Sequence, residues 1–312
     1  MTVDPALLAA LTRGRRAVDE SMAFWAQQNG RWDEEPMTVI LCQNAAPHVK
    51  PITFNKRQEG VIGADWLWWW VDPSGTCFGM LVQAKNLERR KGSWSVDFEH
   101  ANKSGPQLDL LLRAADLFQV APAYVLYCGD TNYRTGLSCG FRHTEPICDR
   151  CTRAGVSILS ALAVQYFLLL SQDSAAVDAF AHAVPLEDLA DPKVRQRPLW
   201  DDPNFSNVPE LRSFLVERQH GAFQVAKLLF TQVSKLRRAQ MLMAAPRRFD
   251  VGSGKVFPHL PADRGHFSRS YYGNILRGLR TELPSYVRDA EAGRVLPSEL
   301  AGRIAGIAIF YL

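Results

Sequence analysis

The sequence predicts an α/β fold, a mixed central sheet flanked by helices with a mainly helical C-terminal extension. Two observations carry this prediction. Segments with apolar residues at helical spacing alternate with short runs rich in aromatic and β-branched residues. Two such runs, residues 64–71 and 77–85, are separated by the turn-forming segment Asp72 to Gly75, which predicts a β-hairpin. The order helix, strand, hairpin, helix, strand, helix is typical of a layered α/β domain.

The N-terminal elements follow from capping and spacing. Asp4 followed by Pro5 is typical of a helix start, because proline at the first helical position gives up an N–H that has no partner there. Apolar residues then recur at helical spacing to about residue 28. The apolar run 38–42 predicts a short strand, and residues 43–60 predict irregular structure.

The middle of the chain continues the alternation. Residues 86–104 predict a charged loop that contains glycine. Residues 107–118 have the spacing of an amphipathic helix, and Pro122 introduces an apolar strand at 123–128. After a cysteine-bearing loop, the apolar run 155–170 predicts a long buried helix.

The C-terminal half has a different sequence pattern from the N-terminal half. Residues 184–208 are rich in Pro and Asp and predict a loop that wraps around the domain. Helical patterns return at 209–219, 221–244 and 271–293, and residues 304–312 predict a final buried strand. The expected organisation is a core in residues 1–172 and a mainly helical region in residues 173–312, packed onto the core through that strand.

Composition restricts the class of protein. The chain has 312 residues, 47% of them hydrophobic and 22% charged, and a net charge of +4. This is the composition of a globular protein and is compatible with a nucleic-acid partner without demanding one. The start of the chain lacks a basic region before an apolar run, and the longest apolar stretch is shorter than the roughly 20 residues of a membrane span. We therefore expect a cytoplasmic protein without membrane contact, whose six cysteines are thiols or metal ligands.

The hairpin brings three polar residues together. With the turn centred between residues 73 and 74, Asp65 lies opposite Val82, and a shift by one residue places it opposite Gln83. Gln83 and Lys85 share a face, because side chains alternate along a strand. The sequence therefore predicts a carboxylate, an amide and an ammonium at one end of a hairpin, where burial is costly unless the charges are paired or bound to metal.

This arrangement carries a resemblance. The run Gly63 to Trp66, followed after the hairpin by Val82 to Lys85, resembles the PD-(D/E)XK nuclease superfamily, in particular members with a Q-x-K third motif, and is similar to uncharacterised bacterial proteins with a G-A-D-W…Q-A-K signature. The fold implied is restriction-endonuclease-like. Two departures matter: Ala64 replaces the family's proline, and Gln83 replaces its usual second acid. Metal affinity then depends more on Asp65 and on another acid.

The resemblance implies a set of roles. Asp65, Gln83 and an upstream glutamate would hold Mg²⁺ or Mn²⁺, a hard ion that prefers oxygen ligands. Glu59 is the first candidate for that glutamate, and Glu20 on the N-terminal helix is its competitor. Lys85 would stabilise developing negative charge or position the attacking water. Some relatives also carry a helix-borne glutamine that touches the site, and Gln107 occupies that place here.

The function that the resemblance implies is metal-dependent hydrolysis of phosphodiester bonds, with DNA favoured over RNA. A role in bacterial restriction, antiphage defence or as a toxin follows from association with the family, as does a homo-oligomer or a partner protein of a defence system. Two alternatives stay open. One is an inactive nucleic-acid-binding module of the same fold; the other is a solvated strand end at which Lys85 protects an edge.

The cysteine-bearing loop offers a second candidate metal site. Cys128, Cys139, Cys148 and Cys151 stand near His143, and the final Cys-x-x-Cys has the spacing of half a zinc site. A structural zinc ion would make this loop the centre of an interaction module. The alternative is four reduced, partly buried thiols, which the irregular spacing of the first pair favours.

Two further patterns have plain structural explanations. Trp66, Trp68 and Trp70 share one face of their strand, which is typical of core packing, with base stacking as the alternative. Basic clusters occur around residues 13–16, 85–91, 235–238 and 247–248, and each by itself is typical of a solvated face. The run 86–92, directly after the motif lysine, is the one we expect to contact a nucleic-acid backbone.

Overall fold

The architecture is that of a computed structural model. The residues that it describes are 5–54, 66–90, 92–137, 148–170, 175–200, 208–238, 248–250, 252–264, 267–294 and 304–312.

The helices of the described residues are amphipathic or buried segments that surround a sheet. They are α1 (Pro5–Gln27), α2 (Glu34–Asn44), α3 (Gln107–Phe118), α4 (Thr131–Gly136), α5 (Asp149–Arg153), α6 (Ala161–Leu170), α7 (Ala175–His182), α8 (Pro209–Val216), α9 (Gly221–Arg238), α10 (Tyr271–Leu276) and α11 (Ser285–Glu291), with one 3₁₀ turn at Leu186–Leu189. None of these described helices is long and apolar enough to cross a membrane.

The strands of the described residues form one large sheet and three small hairpins. They are β1 (Val49–Thr53), β2 (Trp66–Val71), β3 (Cys77–Asn86), β4 (Glu88–Arg90), β5 (Ser93–Ser95), β6 (Ala101–Asn102), β7 (Gly105–Pro106), β8 (Ala121–Tyr127), β9 (Val156–Ser160), β10 (Val184–Pro185), β11 (Arg248–Asp250), β12 (His259–Pro261), β13 (Leu279–Arg280) and β14 (Gly306–Tyr311).

The central sheet is mixed, as predicted. Its strand order is β1-β14-β2-β3-β8-β9-β10, with β13 beside the start of β3. The β2–β3 pair is the predicted hairpin, and its turn ends at Gly75, whose φ of +90° is unstrained for glycine. β14 runs parallel to β2, and β8 runs parallel to β3. The predicted final strand is therefore present, and it lies inside the sheet.

Helices cover both faces of the sheet. The hydroxyls of Thr38 on α2 and Tyr127 on β8 lie 2.8 Å apart. Lys85 on β3 bonds to Gln107 on α3, and Lys85 lies beside Leu126, the residue before Tyr127. Because successive strand residues point to opposite faces, α2 and α3 lie on opposite sides of the sheet.

The tryptophan stripe is core. Trp68 and Trp70 are fully buried and Trp66 is 2% exposed. Phe310 on β14 stacks on Trp70 with ring centroids 4.2 Å apart and also contacts Trp68. The prediction of core packing is confirmed, and base stacking by these buried rings is excluded.

A network of ion pairs fastens the N-terminal helix to the rest of the domain. Asp19 on α1 accepts hydrogen bonds from Arg15 and, at 2.6 Å, from Arg134 on α4. Arg15 also contacts Glu187, at 3.3 Å, in the 3₁₀ turn. Arg153 on α5 lies 3.7 Å from the other oxygen of Glu187. These pairs connect four segments that are distant in sequence.

The strand predicted at 38–42 is wrong. These residues lie within α2, Glu34–Asn44, which begins with two acidic residues favoured by the helix dipole. Met37 and Leu41, four positions apart, are both buried, which is helical rather than alternating burial. The expectation of irregular structure after it is also wrong in part, because Val49–Thr53 forms β1 and pairs with β14.

The long helix predicted at 155–170 is wrong in its first third. Val156–Ser160 is a strand, β9, paired with β8, and the helix begins at Ala161. All five residues of β9 are buried. A continuous apolar run gives no periodicity by which a buried strand can be separated from a buried helix.

Two of the three predicted C-terminal helices differ from the prediction, and residues 239–244 of the remaining one, predicted at 221–244, lie outside the described residues. α8 ends at Val216, and α9 is described as far as Arg238. The single helix predicted at 271–293 is two helices, α10 and α11, separated by β13. Gly278 lies between α10 and β13 and allows the chain to approach β3 closely, because a Cβ there would lie 2.6 Å from the carbonyl oxygen of Gly79. The domain boundary at residue 172 stays a prediction, although β13 and β14 belong to the central sheet.

Candidate functional site

Gln83 and Lys85 lie near the C-terminal end of β3. This strand is in the middle of the sheet, with β2 on one side and β8 on the other. Gln83 is 3% exposed and Lys85 is 8% exposed. Their side chains share one face, as the alternation predicted. A polar amide and an ammonium are thus held in the interior of the domain rather than at a solvated strand end.

The hairpin register is the second of the two predicted from the sequence. Trp66 lies opposite Val82. Asp65 directly precedes Trp66 in the sequence, and like Glu59 it lies outside the described residues. Glu20, the competing glutamate, is exposed on α1, which packs against α2. Further residues of the predicted sites that lie outside the described part are Lys91, Cys139, His143 and Arg247.

Gln107 contacts the motif lysine. The ammonium of Lys85 donates a hydrogen bond to Oε1 of Gln107 at 2.7 Å. Gln107 is the first residue of α3, and its backbone N–H donates to the carbonyl of His100 at 2.9 Å. The expected contact between a helix-borne glutamine and the site is therefore present. Charge-assisted hydrogen bonds of this kind are stronger than those between neutral groups.

Gln83 carries an unsatisfied acceptor. Its side-chain oxygen is buried and accepts no hydrogen bond within the described part of the chain. A buried acceptor without a donor costs roughly 1–3 kcal/mol. Amide oxygens are suitable ligands for hard divalent cations. The described side chains at this point of the sheet therefore offer one neutral oxygen and one ammonium, and a cation here would need carboxylates in addition, since no three His, Cys, Asp or Glu side chains of the described ranges are grouped to hold a metal ion.

Aromatic residues shield this face. Tyr124 on β8 lies beside Gln83 in the parallel register. Phe98 packs edge-on against Tyr124, with ring centroids 5.1 Å apart, and is 2% exposed. Sequence analysis missed Phe98 within the charged loop. Its signal was present, because it is an isolated aromatic residue between two acids, Asp97 and Glu99.

The cysteines of the proposed zinc site are only partly described. Cys128 is buried, and burial raises the pKa of its thiol to about 11. The sulfur of Cys148 caps α5 by accepting the N–H of Cys151 at 3.5 Å. Across the described ranges no three His, Cys, Asp or Glu side chains are grouped so that they could hold a metal ion. Zinc binding stays a prediction.

Two of the basic clusters are engaged inside the protein. Arg15 is buried against Asp19 and Glu187. Arg237 is buried against Asp263 at 3.1 Å. The prediction of solvated faces is wrong for these two arginines, since their charges are neutralised by carboxylates.

Two arginines of the run after the motif lysine are exposed, while Leu87 in the same run is buried. Arg89 is exposed and its guanidinium lies over the ring of Trp94, 5.8 Å from the centroid. Arg90 is also exposed and pairs with Glu88 at 2.8 Å. These two arginines follow the buried Lys85 by four and five residues along the chain.

The fold and the site define a class: an α/β protein with a mixed sheet that buries an amide and an ammonium beside each other on a central strand. The chain belongs to the family of unknown function DUF6615, whose model matches residues 20–309. No curated protein and no solved structure matches the chain.

Proposed function

We propose that this protein is a metal-dependent nuclease that hydrolyses phosphodiester bonds in nucleic acid. The observation that carries the proposal is the buried side-chain oxygen of Gln83, which lacks a donor within the described residues and lies on the same face as the Lys85–Gln107 hydrogen bond. A buried acceptor and a buried ammonium are costly in a core with no function for them.

Asp65 is the proposed first metal ligand. The pairing of Trp66 with Val82 fixes the register of the hairpin. In our proposal Asp65, the residue before Trp66 in the sequence, supplies the charge that an amide lacks. Glu59 is the proposed third ligand. The resemblance to the Q-x-K nucleases supports both assignments.

Each described residue of the candidate site has a role in this proposal. Gln83 offers a neutral oxygen ligand, and Gln107 fixes the ammonium of Lys85 in place. An ammonium carries three N–H donors, so Lys85 can bond to Gln107 and also to phosphate oxygens that gain negative charge during hydrolysis. Phe98 and Tyr124 exclude water, which strengthens these electrostatic interactions. The bound Mg²⁺ or Mn²⁺ would supply Lewis-acid polarisation of the phosphate and a more acidic water.

The test is a cleavage panel with point variants. Wild-type protein should degrade at least one of double-stranded DNA, single-stranded DNA and RNA with Mg²⁺ or Mn²⁺, and EDTA should stop it. Lys85→Met and Asp65→Asn should each lower the rate at least ~100-fold. Lys50→Met is the matched control, because Lys50 is exposed and pairs with Glu291 on the surface. Cleavage that survives in both site variants would refute the proposal.

A second candidate is a nucleic-acid-binding module of the same fold that has lost catalysis. The observation in its favour is Gln83 itself, which stands where the resembled family has an acid and so supplies no charge to a cation. This candidate predicts salt-sensitive binding without cleavage under any divalent ion. A role in antiphage defence or as a toxin is proposed from the resemblance alone.

A further inference from the structure

A cavity lies between the β4–β5 hairpin, which follows β3, and the segment that follows β8. Its volume is about 410 Å³, within the usual range for small-ligand pockets. One wall is the β4–β5 hairpin, in which Arg89 and Trp94 are directly paired. The other wall is formed by Asp130, Asn132 and Tyr133, after the end of β8.

The aromatic wall is held in a fixed geometry. Trp94 and Tyr133 meet edge to face with centroids 5.2 Å apart. Tyr133 is fixed from behind by Phe180, at 5.4 Å, and its hydroxyl donates to the carbonyl of Ala176 at 3.4 Å. Preorganised aromatic faces suit a planar ring, since stacking on such a face contributes about 1–3 kcal/mol per base.

The polar groups of the cavity complement a nucleotide. Asp130 and Asn132 supply a carboxylate and an amide, which together can pair with both donors and acceptors on a heterocycle. The Asp130 side chain is oriented by the N–H of Tyr133, at 2.6 Å. The exposed guanidinium of Arg89 at the rim is suited to a phosphate. A purely aliphatic ligand would leave these groups unused.

The cavity is connected to the candidate site through the chain. The N–H of Leu87 donates to the carbonyl of Tyr127 at 2.9 Å, so the segment after Lys85 stays beside β8. The same segment continues through Arg89 and Trp94 to Phe98, which covers the face of the site. One short stretch of chain therefore bounds both the buried ammonium and the cavity.

We propose that this cavity binds a nucleobase of the strand that Lys85 acts on, with its 5′ phosphate on Arg89. This inference rests on the proposed nuclease function for its biological meaning. The pocket would select single-stranded or unpaired nucleotides, because a base in a duplex has both faces stacked and its hydrogen-bonding edge occupied.

The experiment measures binding without catalysis. Calorimetric titration in EDTA with the four ribonucleoside 5′-monophosphates, and with the matching nucleosides, should give saturable binding of at least one pair. Trp94→Leu should weaken both nucleotide and nucleoside about tenfold or more. Arg89→Gln should weaken the nucleotide by a larger factor than the nucleoside; some effect on the nucleoside is expected because the guanidinium also lies over the Trp94 ring, 5.8 Å from its centroid. Arg90→Gln, the exposed neighbour that pairs with Glu88, is the control and should bind as wild type.

The outcomes separate the two proposals. No binding of any mononucleotide up to about 10 mM, or binding that Trp94→Leu and Arg89→Gln leave unchanged, overturns the pocket even if the protein is an active nuclease. Binding that both variants weaken, in a protein that cleaves nothing with any ion, supports the pocket and removes the nuclease. Because Arg89 is exposed, Arg89→Gln remains informative if Trp94→Leu fails to fold.

Discussion

Lys85 and Gln107 are joined by a 2.7 Å hydrogen bond that crosses from the sheet to the first turn of α3. Lys85 is 8% exposed, so the ammonium is largely removed from water. The amide oxygen of Gln107 replaces part of its hydration. This pair couples the stability of the helix start to the position of the ammonium that we assign to catalysis.

This coupling predicts a non-additive pair of mutations. Gln107→Leu alone should lower the free energy of unfolding by about 1–3 kcal/mol, because it removes an acceptor from a buried ammonium. Lys85→Met should remove most of that penalty, so the double variant should be more stable than the sum of the single effects allows. Urea unfolding of the four proteins measures the coupling energy. Additive effects would show that the two side chains do not depend on each other.

Gln83→Leu should separate stability from activity. It removes a buried acceptor that lacks a donor within the described residues, and leucine has a similar volume. The free energy of unfolding should therefore rise by about 1 kcal/mol in EDTA, while metal-dependent cleavage should fall at least ~100-fold. Unfolding in EDTA and cleavage in Mg²⁺ are the two measurements. A loss of stability would indicate that the amide is a structural group.

The hairpin and the polar pair on β3 were accessible from the sequence because their information is local. A turn at Asp72 to Gly75 fixes two flanking strands, and alternation then places Gln83 and Lys85 on one face. The contact of Gln107 was expected from the resemblance and not from spacing. The two candidate registers differed by one residue, and local sequence does not choose between them. Partner strands and covering helices decide it.

The elements that were predicted wrongly or missed depend on contacts that are distant in sequence. The segment 156–160 is a strand because it pairs with β8 on one side and β10 on the other. The local sequence does not show which segments a buried apolar run will pair with. The helix α2 was missed because its apolar run is short and its packing surface is on α1. The position of Phe98 and the cavity wall at Arg89 and Trp94 depend on how a charged loop folds back, which has no periodic signature.

The carboxylate of Asp19 should be important for stability. It joins Arg15 and Arg134, whose side chains are 6% and 5% exposed. Asp19→Ala leaves two buried guanidinium groups short of a partner, so we expect a loss of about 3–5 kcal/mol in the free energy of unfolding. Asp289→Ala is the control, because its partner Arg294 is 67% exposed, and it should cost less than about 1 kcal/mol. Equal effects of the two substitutions would argue against a buried network.

Lys255 should make stability depend on pH. Its ammonium is buried and donates to the carbonyl oxygens of Gln119 and Arg277, at 3.1 and 2.8 Å. Burial, with the nearby Arg280 and Arg277, lowers its pKa from 10.5 to about 7. A neutral amine still has two N–H groups for the two carbonyls. Between these pKa values the unfolded chain binds a proton that the folded chain has released.

The sign of the effect follows from that proton. The stabilisation is complete above pH 10.5 and is lost as the pH falls through about 7, so the free energy of unfolding should rise with pH inside this window. The rise from Lys255 is at most about 1.4 kcal/mol per pH unit. Urea unfolding at about pH 7.5 and about pH 8.5 measures it. This range stays below the region in which Cys42 contributes with opposite sign, since burial raises its thiol pKa from 9.0 to about 12.

Lys255→Met should reduce the slope, because methionine keeps the apolar stem of lysine and carries no titrating group. Part of the slope remains, because burial also lowers the pKa of Lys227, to about 8. Lys50→Met removes an exposed lysine and should leave the slope of the wild-type protein unchanged. The difference in slope between these two variants isolates the buried amine from the rest of the titration. Equal slopes would mean that Lys255 remains protonated in the folded state, with its charge held by the two carbonyl oxygens alone.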